Sequence, residues 1–249
     1  MKKAIVLSLL FCLLTQLCIA QSNADAVEIT YIQQVKNIPQ KARADMGNEA
    51  LKFLLTTHAV LLATKDASWC KQQGEMSFTE KKSATTKDLP ANFPLKREEI
   101  TSVQSEKVYR KSLYDTYKSL KEQSMVSVYR SVDNIFRVEE VLPTYEWTIT
   151  NEVAIIAGLT CKKATTTTLT QPQLPVEAWF TDEIPMANGP GAFHGLPGLI
   201  LKIETPVLSI EADKVRFIAP PVINKPTEGE LITSEQLRQR MSQKPKLSN

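Results

Sequence analysis

The chain has 249 residues, 43% of them hydrophobic, and a formal net charge of +3. That length buries a substantial core, and so balanced a charge singles out no polyanionic partner. No basic stripe interleaved with aromatic residues occurs, so a nucleic-acid surface is excluded.

Residues 1–20 carry the marks of a secretory signal. Lys2 and Lys3 precede an apolar run at 4–14 interrupted only by Ser8, and the small residue Ala20 closes the segment. Cleavage is expected between Ala20 and Gln21, with the mature chain periplasmic or secreted. Lys2 and Lys3 leave with the signal, so the formal charge falls from +3 to +1. Cys18 follows Gln16 and Leu17, where a lipobox needs small residues, so lipidation is not expected. No later apolar segment approaches bilayer-spanning length, so no membrane span is expected after signal removal.

At 26–35, Val27, Ile29 and Tyr31 alternate with Glu28, Thr30 and Ile32, which predicts a strand that Pro39 ends. Ala44, Ala50, Leu51, Leu54 and Leu55 then recur at helical spacing and predict a helix over 43–55. The apolar run 59–63 fits a buried strand or more of that helix. Residues 71–101 are polar, contain Pro90 and Pro94, show no period and predict a long loop. Val108, Tyr109, Leu113, Tyr117 and Leu120 fall on one helical face and predict a second helix within 105–123.

From Met125 onward the composition turns to β-branched and aromatic residues. Successive antiparallel strands are predicted around Val126 to Tyr129, Ile135 to Val138, Tyr145 to Ile149, Val153 to Ile156 and the threonine run 165–168. Turn signals at Asp133-Asn134, Pro143, Gly158 and Pro172 separate them. Three further strands are predicted at 176–181, 199–204 and 207–217, the last broken at Asp213-Lys214. Thr233-Ser234-Glu235-Gln236 has the form of a capping box opening a short helix through Met241, and 244–249 reads as a disordered tail.

Two cysteines remain after the signal, Cys70 and Cys161, and export makes them a disulfide candidate. Such a bridge closes a long loop and contributes about 4 to 5 kcal/mol in the chain-entropy model. Two separate buried thiols fit the sequence equally well.

Residues 189–201 hold four of the eight glycines and run into an apolar strand. Gly189-Pro190-Gly191 and Leu196-Pro197-Gly198 each place Pro and then Gly as type II turns require, so Gly191 and Gly198 are expected at positive φ. Pro190 and Pro197 remove amide donors and no Gly-Lys-Ser/Thr follows, which argues against a phosphate cradle. His194 is one of two histidines. No second ligand lies at metal spacing, and a site from His58, His194, Cys70 and Cys161 needs four unrelated loops to converge. The adjacent Asp182 and Glu183 read as turn or capping groups. No catalytic, cofactor or metal residue is assigned, and no cofactor is expected.

Several blocks occur in order: Trp147-Thr148-Ile149, Gly158 to Ala164, Ala178-Trp179-Phe180-Thr181-Asp182-Glu183-Ile184-Pro185, Gly189-Pro190, and Phe193-His194-Gly195-Leu196-Pro197-Gly198-Leu199-Ile200-Leu201. Over about 145–205 the chain resembles the GLPGLI family of exported bacterial proteins of unknown function, whose namesake hexapeptide stands here at Gly195 to Ile200. The resemblance favours a strand at 58–67. The expected fold is mainly β (α+β): an antiparallel, curved sheet or half-barrel with one or two helices, the sheet wrapped about a helix. One β-rich domain is expected over 21–225, with a short helix and tail at 226–249. The expected role is non-catalytic binding of an envelope protein or a small apolar ligand. A hydrolase using residues near His194 and a structural surface component are the rival readings.

Overall fold

The computed structural model describes residues 25–37, 40, 43, 46–85 and 102–242. The expected signal with its Ala20–Gln21 cleavage point, the tail from 244 and residues 86–101 lie outside the described residues. β1 (Ala26–Val35) is followed by helix α1 (Asn48–Leu55), β2 (Thr56–Thr64) and β3 (Ala67–Gln73). A hairpin of β4 (Ser77–Thr85) and β5 (Ser102–Arg110) precedes β6 (Leu113–Ser119), β7 (Ser124–Arg130) and β8 (Ile135–Val141). Then come β9 (Thr148–Ile156), β10 (Leu159–Thr167), β11 (Pro175–Thr181), β12 (Leu199–Glu204), β13 (Leu208–Ile218), β14 (Glu230–Leu231) and helix α2 (Ser234–Ser242).

Twelve strands form one sheet in the order β14-β8-β7-β6-β3-β2-β1-β13-β12-β11-β10-β9, and β4 and β5 pair separately. Every pairing is antiparallel except the short β14–β8 contact. The connectivity forces curvature. β8 and β9 stand ten strand positions apart, about 48 Å across a flat sheet at ~4.8 Å per strand. Residues 142–147 alone join them, a reach of at most about 25 Å. The sheet therefore curls until its ends approach, without closing into a barrel.

Alternation decides what lines the concave face. Val27, Ile29 and Tyr31 of β1, Ala59, Leu61 and Ala63 of β2, Val176, Ala178 and Phe180 of β11 and Leu199, Leu201 and Ile203 of β12 share one core cluster. The same cluster contains Ile184, Met186 and Leu196 from the segment between β11 and β12. The sheet thus wraps mainly about a loop, where a helix was expected. α2 touches this face only at the β8 end.

Other expectations need correction. Residues 105–123 form parts of β5 and β6, not a helix: Tyr, Thr, Ser and Val suit a strand, and β6 is buried on both faces, so no two-residue alternation is visible. The loop expected at 71–101 contains the end of β3 and all of β4, whose polar sequence reflects a hairpin outside the main sheet. α1 begins at Asn48, after Gly47 in extended conformation, and so is shorter than 43–55. Its last carbonyls are satisfied from a distance, since the Lys111 ammonium donates to Phe53 O (2.9 Å) and Thr56 O (3.0 Å). β13 runs unbroken, with Asp213 as the extra residue where its register with β1 shifts.

Cys70 and Cys161 are free and buried, so the candidate disulfide is absent. β3 and β10 lie six strand positions apart, with β1 and its Tyr31 between them in the sheet. Burial raises both thiol pKa values, that of Cys161 to about 11. Protein starting at Gln21 should show two titratable thiols per chain in denaturant without reductant and almost none when native. A value near zero in denaturant would establish the bridge.

Candidate functional site

The segment joining β11 to β12 alternates like a strand without belonging to the sheet: Ile184, Met186 and Asn188 are buried, while Pro185 and Ala187 are exposed. A buried loop must find partners for its backbone. Met186 N–H donates to Ile184 O (2.8 Å), Asn188 N–H to Met186 O (2.7 Å) and Gly195 N–H to Ala187 O (3.1 Å). Leu199 and Ile200 return donors to Ile184 O and Asn188 O, which ties the loop's end to its beginning. Side chains of the sheet complete the set. Ser68 Oγ donates to Asn188 Oδ1 (2.7 Å), and Tyr31 Oη donates to Ile200 O (2.6 Å).

Lys118 is the unexpected member. It lies on the concave face of β6 opposite Ser68 and is fully buried. Its ammonium donates to Gly189 O (2.8 Å) and Phe193 O (2.7 Å), closing the bend between them. Burial lowers its pKa to about 7, partly opposed by the nearby Cys70. No sequence signal marked it, because in the helical reading of 105–123 it belonged to the polar face.

His194 stands at the outer rim of this loop. Its Nε2 bonds to Pro143 O (2.7 Å), while its own carbonyl accepts from Trp147 Nε1 (2.8 Å). Burial lowers its pKa, the Pro143 bond acts against this, and Lys118 lowers it further. Tyr145 packs against Trp147, Phe193 and His194 with ring centroids 5.4–5.9 Å apart. These contacts bind the β8–β9 connection to the loop. Among the described residues, no group of three or more His, Cys, Asp or Glu could hold a metal.

The motif residues divide by role. Leu196, Leu199 and Ile200 are buried, and Pro197 is exposed. A Cβ on Gly189, which leads into the buried Pro190, would meet Ile200 Cβ at 2.8 Å. Gly191 has the expected positive φ, but Gly198 does not. A side chain at Gly198 would instead overlap the Thr181 carbonyl at the end of β11. Gly195, outside the predicted turn pair, takes φ +92°. Trp179 lies between Lys163 and Lys202 on neighbouring strands, with the Lys163 ammonium 5.8 Å from its ring centre. Asp182 pairs with Lys162, and Glu183 accepts from Thr160 N–H (2.8 Å), as turn and edge groups.

A family model described as a protein of unknown function (Porph_ging) matches residues 169–202, which cover β11, the buried loop and the start of β12. No curated protein matches the chain. Among solved structures, PNGF-II is similar in two crystal forms. In space group P21 the identity is 15% and the TM-score 0.51, over 87% of this chain and 33% of that one. In space group C2 the values are 16% and 0.49, over 86% and 32%. The likeness is one of fold, and the chain spans about a third of the length of those structures.

Two outcomes are expected here. Gly198→Ala should cost a few kcal/mol in denaturant melts, because the backbones of β11 and β12 must separate to admit a methyl group. A loss below about 0.5 kcal/mol would contradict the close approach. Lys118 concerns pH. Its folded pKa is near 7 and its unfolded pKa near 10.4, so between these the unfolded chain binds more protons and stability rises with pH. Wild type should gain on Lys118→Met by up to about 1.4 kcal/mol per pH unit between about pH 7.5 and 9.5. Parallel profiles would show that Lys118 titrates normally.

Proposed function

We propose that this is an exported, non-catalytic protein of the GLPGLI type that binds an extended segment of a partner protein at the free edge of its sheet. β9 carries this reading. Among the described residues it is paired only with β10, contains no proline, and exposes Ile149, Val153 and Ile155 by 49, 61 and 68%. A long apolar edge offers a row of backbone donors and acceptors to an added strand, while alternate side chains supply specificity. Its one charge, Glu152, is engaged by Lys163.

The surroundings of the loop support a non-catalytic role. Lys118 and His194, the two groups nearest in character to an acid–base pair, both hold backbone carbonyls. A small apolar ligand is less well supported than a protein, because Ile184, Met186 and Leu196 already occupy the concave face. A hydrolase acting near His194 remains the rival to test.

The chain from Gln21 serves as bait for envelope extracts. Wild type and His194→Ala should retain the same polypeptide, and Val153→Lys/Ile155→Lys should lose it at unchanged melting temperature. Retention by the lysine variant would overturn the edge reading. A turnover abolished by His194→Ala in a folded protein would establish the rival.

A further inference from the structure

We propose that the aromatic strip beneath α2 is a docking seat for a basic amphipathic helix of a partner protein, and that α2 is a built-in strap occupying it in the free chain. The seat is independent of the β9 edge. Strand pairing aligns Tyr114 of β6, Tyr129 of β7 and Phe136 of β8 on one face. Their rings form a continuous strip, with centroids 5.0 Å apart between Tyr114 and Tyr129 and 6.1 Å between Tyr129 and Phe136. Val138 and Ile232 extend it into a small cluster.

α2 lies on this strip lightly. None of its residues is buried, and Leu237 is its one apolar residue packed on the cluster. The Arg240 guanidinium sits 4.8 Å above the Phe136 ring, and Tyr114 Oη contacts Met241 Sδ at 3.1 Å. The remaining ties are polar and exposed: Arg240 with Glu230, Ser234 with Glu140, and the reciprocal cap between Thr233 and Gln236. A nine-residue helix is unstable alone, so its order depends on these contacts. Beside the strip, an open groove of about 470 Å³ lies between β8, β14 and the first turn of α2.

The strap also shows what replaces it. Leu237, Arg240 and Met241 sit at i, i+3 and i+4, so a competing helix needs two apolar residues and a cation at that spacing. When α2 leaves, Glu140 and Glu230 lose Ser234 and Arg240, which favours a basic occupant. Tethering gives α2 a high effective concentration, so only a helix making fuller contact displaces it.

The test uses the full chain and a labelled peptide copying residues 231–242 as probe. Leu237→Asp should loosen the strap, raising peptide affinity at least about tenfold over wild type at unchanged melting temperature. Adding Phe136→Ala should abolish the binding. In wild type, amide exchange in α2 should be at least about a hundredfold faster than in β1 and β2, a reading that needs no variant. Equal or absent peptide binding by wild type and Leu237→Asp, or α2 amides as protected as the core, would overturn the proposal. A stable dimer of the unaltered chain, lost on Phe136→Ala, would assign the seat to a second copy and overturn the partner reading.

Discussion

An open sheet curled on itself leaves a concave apolar face that something must fill. Here the filling is the chain between β11 and β12, held by the Lys118 ammonium at Gly189 O and Phe193 O. A loop in that place brings unpaired carbonyls into an apolar interior, where each costs about 1 to 3 kcal/mol if left without a donor. One lysine meets two of them because its head is a compact group with several donors. Burial makes the charged form costly, and the low pKa of Lys118 follows from the same geometry. Tyr31 and Ser68 work to the same end on Ile200 O and Asn188 Oδ1. The buried Lys118, Tyr31 and Ser68 are thus explained by the loop they hold.

Where one face of a strand is buried and the other wet, the fold was legible. The bounds of β1 and β12 coincide with the alternation of Val27, Ile29 and Tyr31 and with the run beginning at Leu199. The reciprocal cap of Thr233 and Gln236 is present as the local spacing required. Legibility failed where burial was not one-sided. β6 is covered by the loop on one face and on the other by Ile223, packed against Tyr117, Val126 and Val128, so its sequence shows no period of two. Its spacing of Tyr and Leu then mimicked a helix. β4 failed for the opposite reason, having little core to face.

The glycines show a finer limit. A Pro-Gly pair announces a turn, and Gly191 has the positive φ that this implies. Gly198 stands in the same local pattern, yet what excludes a side chain there is the Thr181 carbonyl on a neighbouring strand. Local sequence encodes a residue's preferred dihedrals but not which distant backbone lies against it. Lys118 was hidden likewise, since nothing in Tyr117-Lys118-Ser119 distinguishes a buried ammonium from a solvated one.

Under the proposed role, the same architecture directs where recognition occurs. Filling the concave face with its own loop leaves His194 and Lys118 bonded to backbone carbonyls and both thiols buried. The two ends of the curled sheet differ. At one end β9 pairs, among the described residues, only with β10, and exposes Ile149, Val153 and Ile155. At the other, β14 covers part of β8 and α2 lies over the aromatic strip. A sheet that curled fully would pair these ends with each other and leave no edge. The six residues of 142–147 instead hold them near one another, not paired with each other among the described residues, with Tyr145 and Trp147 anchored on the buried loop. The loop that fills the sheet therefore also fixes where its two ends meet.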